Sequence, residues 1–237
     1  MQSPDDLEQQ LAGLRDKRGY LLPHHGLMAL TAPKLLEAYD AAYTALALDD
    51  RILSHHDREF VWLAILIATD EAIATHHIPK FRAAGGTDAE IKAILSVTAF
   101  LCGFRAYGFT ERHWATHLPE INVEASWDSA LHRAGQGADM RLVHLAGLAV
   151  QTCNGEWDGL AWQLRAAYRD DVPEFEMAEA LSLTMFPGSV PYFVEAARVW
   201  RELIVSGSVE ASASFKAWAN FAGQEGHGGG PSGRSGG

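Results

Sequence analysis

The run FVWLAILIA at residues 60–68 is apolar at every position, while most of the chain spaces its apolar residues three or four apart, as a helix with one buried side does. Ser54 followed by Asp57 and Glu59 reads as a cap and an acidic first turn, which predicts a helix over about 55–68. Thr69 reads as the cap of a second helix that carries Asp70, Glu71, Ile73, His77 and Phe81 and stops at Gly85-Gly86. Thr87 and Glu90 form a T-x-x-E box ahead of Ile91, Ile94, Leu95, Thr98 and Leu101, and Gly103 and Gly108 punctuate a shorter helix. Further helices are expected over 139–152, over 156–169, and from Pro173 to the break at Pro187-Gly188. The last long helix starts at Pro191, with Phe193, Ala196, Val199, Trp200 and Leu203 along one face. Period-two alternation is absent, so the expected fold class is all-α.

Overlaid on itself at an offset of 86, the chain repeats. EIKAILSVTAF (90–100) aligns with EMAEALSLTMF (176–186), pairing Glu90 with Glu176, Leu95 with Leu181, Ser96 with Ser182, Thr98 with Thr184 and Phe100 with Phe186. The expected organisation is a flexible lead-in at 1–20, two tandem helical units at 21–120 and 121–222 forming one pseudo-symmetric body, and a disordered Gly-rich tail at 223–237.

Composition narrows the function classes. With 237 residues at 48% hydrophobic, the chain can bury a sizeable core. Its net charge of −11, without a basic cluster, disfavours nucleic acid. The run at 60–68 is about half the length a membrane span requires, and the acidic N-terminus lacks the features of a secretory signal, so a cytoplasmic protein without a membrane partner is expected. Cys102 and Cys153 sit in apolar helical patterns, as reduced packing thiols do.

The pattern DREFVWLAILIATDEAIATHH, then GGTDAEIKAIL, a Gly-containing break and a short helix, resembles the carboxymuconolactone decarboxylase and alkylhydroperoxidase D-like superfamily. Counting both copies, the resemblance spans about 40–202. His77 lies eight residues before Gly85, where the family places its motif histidine, and Glu59 most nearly matches the glutamate of the R-E-L-V-like helix. The positions that carry C-x-x-C in the peroxidase branch are Asp70 and Ile73 here. Peroxide reduction needs a low-pKa thiolate and a resolving cysteine, so the resemblance implies the other branch: a cofactor-independent lyase that decarboxylates, or moves a proton on, a small carboxylated lactone or aromatic-derived substrate. A non-catalytic binding or structural oligomer is the alternative, and a peroxidase a distant third.

Lyase chemistry of this kind asks for an acid–base pair. On a continuous helix, residues 70, 73, 74 and 77 would share a face, so His77 and Asp70 would look one way and His76 another. His77 is the expected proton donor or acceptor and Glu59 its orienting partner. Asp70, Glu71, His76, Arg105, Tyr107 and His113 are candidates for substrate contact, Arg105 as a fork for a carboxylate. Adjacent histidines do not bind one ion from a regular helix without strain, and neither metal nor cofactor is expected. The family's ring-like assemblies imply a homo-oligomer, a trimer first and a dimer second, with Trp62, Phe100, Trp157, Trp162 and Phe186 as candidate contact residues.

Overall fold

In the computed structural model, which describes residues 3–224, helices account for nearly all regular structure, and no strand occurs among the described residues. In chain order they are α1 (Pro4–Arg18), α2 (Pro23–Thr31), α3 (Pro33–Tyr43), α4 (His55–Ala68), α5 (His77–Ala83), α6 (Asp88–Cys102), α7 (Phe104–Trp114), α8 (Val123–Ala134), α9 (Met140–Asn154), α10 (Trp157–Arg169), α11 (Glu174–Ser182), α12 (Val190–Val205) and α13 (Ala213–Ala219). A π-helical turn, Thr44–Leu48, continues α3. Expected caps recur as real contacts. Ser54 Oγ accepts the Asp57 N–H at 3.1 Å, and Thr87 and Glu90 close their box. Most of the Gly-rich tail expected at 223–237 lies outside the described residues.

At the centre, α9 packs on α4, α6, α10 and α11. Both central helices bury nearly their whole circumference, Arg58–Leu66 in α4 and Leu142–Thr152 in α9, as interior helices must. The stretch Asp88–His117 is long and apolar enough to cross a membrane by composition. It bends at Gly103 into α6 and α7, however, and α6 buries Ala93, Ile94, Val97, Thr98 and Leu101 against α4 and α9.

Two departures from the sequence reading bear on function. Residues 4–18, expected to be a loose lead-in, form α1, capped by Ser3 and stopped by Gly19 at φ 79°. Arg18 at its end is buried. Second, 69–84 is not one helix. Asp70 takes the left-handed conformation at φ 54° and closes α4, with the Glu71 N–H donating to the Leu66 carbonyl at 3.0 Å. A 3₁₀ turn over Ala72–Ala74 follows, and α5 begins only at His77. Asp70 therefore shares no face with His77. It is exposed on a separate apolar groove, with Ile67, Ile78 and Leu95.

Some of these details recur 85–86 residues later in the chain. Gly155 is left-handed at φ 65°, and the Glu156 N–H donates to the Gln151 carbonyl at 3.0 Å, as at Asp70. Gly85 at φ 97° matches Asp171 at φ 54°, and the His56–Glu90 ion pair matches that of Arg141 with Glu176. Gly86 is confined for a different reason. A Cβ there would meet the Phe81 ring at 2.3 Å.

Candidate active site

α4 and α5 bring the proposed acid–base pair together. His77 Nδ1 lies 2.6 Å from Glu59 Oε2, and both residues are buried, at 2% and 5% exposure. Trp62, one turn beyond Glu59 on α4, stacks on the His77 ring with centroids 4.9 Å apart. Glu59 thus holds Nδ1 while the indole fixes the plane of the ring, which leaves Nε2 as the nitrogen for exchange with a substrate.

His77 lines a cavity of about 250 Å³ together with Trp62, Leu66, Glu71, Ala74 and His76. The opposite wall comes from parts of the chain for which no site role is legible in the sequence: Arg18, Tyr20, His24, His25, Tyr39 and Tyr43, with Phe186 and Pro187 closing one side. The apolar groove beside Asp70 is larger, at about 580 Å³, but its lining contains no histidine, arginine or tyrosine. The smaller, polar-walled cavity is the better candidate for chemistry.

Both adjacent histidines face this cavity, contrary to the expectation for a regular helix. His76 is the N-cap of α5, directly before His77, and the two ring centroids are 4.4 Å apart. Tyr20 stacks on the far side of His76 at 3.9 Å. His76 Nε2 is buried without a hydrogen-bond partner, an orphan that a substrate oxygen would satisfy.

The electrostatics favour neutral rings at His76, His25 and His24 beside the buried Arg18 guanidinium. Burial, reinforced by His77 and Lys80, lowers the His76 pKa to about 3. Burial, with His24 and Arg18 adding to it, lowers His25 to about 4. His24 is lowered as well, by burial and then Arg18. Arg18 donates to Asp40 Oδ1 through Nε at 2.9 Å and Nη2 at 2.6 Å, and its Nη1 lies 3.0 Å from His25 Nε2. The His25 Nδ1 meanwhile accepts the Leu22 N–H at 3.0 Å. A neutral imidazole accepts at only one nitrogen, so these two contacts compete for the His25 tautomer. Burial raises the Glu71 carboxyl above the usual carboxylate range, with His77 opposing the shift.

The remaining sequence candidates lie elsewhere. Arg105 is almost fully exposed and pairs with Glu156 at 3.1 Å, because α7 turns Phe104 into the core and Arg105, one helical step on, outward. Tyr107 packs edge-on against Phe100 at 5.7 Å, and His113 is an exposed neighbour of Phe109 at 4.9 Å. None of the three lines the cavity. No cysteine lines it either, and burial pushes the Cys153 thiol up to about 12.

Comparison with known proteins yields one family. Residues 33–110, about a third of the chain, match the model of the carboxymuconolactone decarboxylase family. No curated protein and no solved structure matches the chain significantly. The matched segment holds Glu59, Trp62, Glu71, His76 and His77, whereas Arg18, Tyr20, His24 and His25 precede it and Phe186 follows it. By its 33–110 segment the chain is similar to the carboxymuconolactone decarboxylase family.

Proposed function

We propose that the protein is a cofactor-independent lyase that decarboxylates, or protonates in a related step, a small unsaturated carboxylated substrate. The reading is carried by the buried 2.6 Å contact of His77 Nδ1 with Glu59 beside an aromatic-lined cavity. A dry cavity of about 150 Å³ accommodates benzene, so about 250 Å³ suits one ring with short substituents. Tyr20, Tyr39, Tyr43 and Trp62 offer flat surfaces for such a ring.

In this mechanism the bond to the carboxylate breaks and its electron pair moves into the conjugated system, releasing carbon dioxide and leaving a dienolate. His77 Nε2 delivers a proton to carbon and is reprotonated from solvent, with Glu59 holding Nδ1 throughout. The surface position of Arg105 removes it from the anion-holding role, and Arg18 replaces it as the nearby positive charge. A thiol peroxidase would need a low-pKa cysteine in the cavity, whose lining contains none.

A screen of carboxylated lactones and hydroxylated aromatic acids, followed by evolved carbon dioxide and product absorbance, tests the reading. On any substrate found, Glu59→Gln lowers kcat by at least ~10-fold with a changed pH profile, because an amide no longer selects the tautomer that presents Nε2 correctly. Substrate binding without turnover by the wild-type protein would instead make this a binding module.

We also propose a homo-oligomer. Ile67, Ile73, Ile78 and Leu95 are exposed beside the apolar groove, and burying them would remove a cost that a monomer bears. Light scattering is expected to return a multiple of 25.8 kDa, a trimer first; a constant single-chain mass at rising concentration contradicts this.

A further inference from the structure

We propose that His132, His144 and Asp170 form a binding site for one divalent transition-metal ion, with zinc as the reference occupant. The three come from different elements: His132 from α8, His144 from α9 and Asp170 from the C-terminal cap of α10. Their ligand atoms lie within 4.8 Å of one another. His144 Nε2 is 2.8 Å and His132 Nε2 3.3 Å from the same Asp170 oxygen, Oδ2. An ion about 2.0–2.1 Å from each donor holds neighbouring donors roughly 3–3.5 Å apart, so small rotations of exposed side chains suffice to admit it.

The outer partners of both rings match what metal-bound histidines use. His132 Nδ1 lies 3.0 Å from the Asp128 carbonyl, an acceptor only, so Nδ1 carries the proton and the neutral ring keeps its lone pair at Nε2. His144 Nδ1 is 2.7 Å from the Gln163 amide. As placed, Gln163 Oε1 is buried without a partner. Turning that amide lets Oε1 accept from Nδ1–H and frees the His144 Nε2 lone pair as a ligand.

Asp170 Oδ2 is thus the shared neighbour of both Nε2 atoms, the position that a cation ligated by all three residues would use. Nearby charge does not oppose the metal, since Arg169 is engaged by Asp128 at 3.0 Å and by Glu124 at 3.8 Å. His144 is fully buried, while the His132 and Asp170 side chains are 43% and 37% exposed, leaving an entry path and room for water at the open coordination positions.

The site shares no residue with the cavity at His77. In the internal repeat it stands close to the Glu59–His77 position, since His144 follows Glu59 by 85 residues and Gln163 follows His77 by 86. On this reading the second unit keeps a histidine pair contact but turns it toward metal binding, joining α8, α9 and α10.

The test is titration of the chelator-stripped full-length protein with Co²⁺, read by visible d–d absorption, and with Zn²⁺, read by calorimetry and thermal melting. One equivalent per chain is expected, with a melting temperature that rises with zinc concentration. His132→Ala and Asp170→Asn, both at exposed positions, weaken binding at least ~10-fold and abolish the melting shift. His77→Asn retains the equivalent, which separates this site from the cavity histidines. Absence of a saturable equivalent, or binding that persists unchanged in His132→Ala and Asp170→Asn, overturns the proposal.

Discussion

Replacing His77 with Asn is expected to lower kcat about 10²- to 10⁴-fold, the range that positioned acid–base catalysis contributes. Asn can still reach Glu59, but it carries no proton at neutral pH. Because His77 is buried and stacked on Trp62, the smaller amide leaves a gap beside the indole, so the fold of the variant is verified separately. KM is expected to change little, since the aromatic walls and Arg18 remain. Steady-state kinetics on a substrate from the screen, with circular dichroism to verify the fold, reads the effect. A folded variant with wild-type turnover would remove His77 from the chemistry and leave the cavity as a binding site.

This outcome depends on a site that was only half legible in the sequence. Glu59 and His77 could be paired because the family motif supplied both, and because α4 is so apolar that a carboxylate in it stands out. The opposite wall was hidden. α1 is polar nearly all round and presents no apolar stripe, so periodicity offers nothing to read, although the Ser3 cap, the basic last turn and Gly19 are all local helix signals. Pro23 and Pro33 likewise open α2 and α3 at their first positions, a signal that could have located both.

The error at Asp70 has a different physical cause. Thr-Asp-Glu after an apolar run is equally suited to starting a helix and to ending one, because Asp tolerates the left-handed region better than most side chains do. Here the Glu71 N–H pairs back to Leu66, and ending wins. That choice moves Asp70 away from His77 and brings His76 beside it. The amphipathic helices α6, α10, α11 and α12 followed their patterns closely, since each buries one continuous face against its neighbours and long-range contacts do not override local preference.

Stability is expected to fall most on Glu179→Ala, by about 3–5 kcal/mol, the usual result of removing one partner from a buried ion pair. Glu179 on α11 is 3% exposed and faces Arg58 of α4, itself 1% exposed, with Arg58 Nε 3.8 Å from Oε1. The other carboxylate oxygen accepts the backbone N–H groups of Ile52 at 2.8 Å and Leu53 at 3.0 Å. The alanine variant leaves a buried guanidinium without its counter-charge and two amides without their acceptor. Arg58 keeps only its contacts to the Asp49 and Leu53 carbonyls, at 2.8 and 3.5 Å. Glu179→Gln retains an acceptor for the amides but not the charge, so its loss is expected to be smaller, about 1–3 kcal/mol. Urea unfolding separates the two through their midpoints. Equal, near-zero shifts for both would mean that the carboxylate is dispensable and that apolar packing of α4 against α9 alone positions the segment before Ser54. The segment matters to the chemistry as well. It sets where α4 begins, and Glu59 projects from that helix little more than one turn further on.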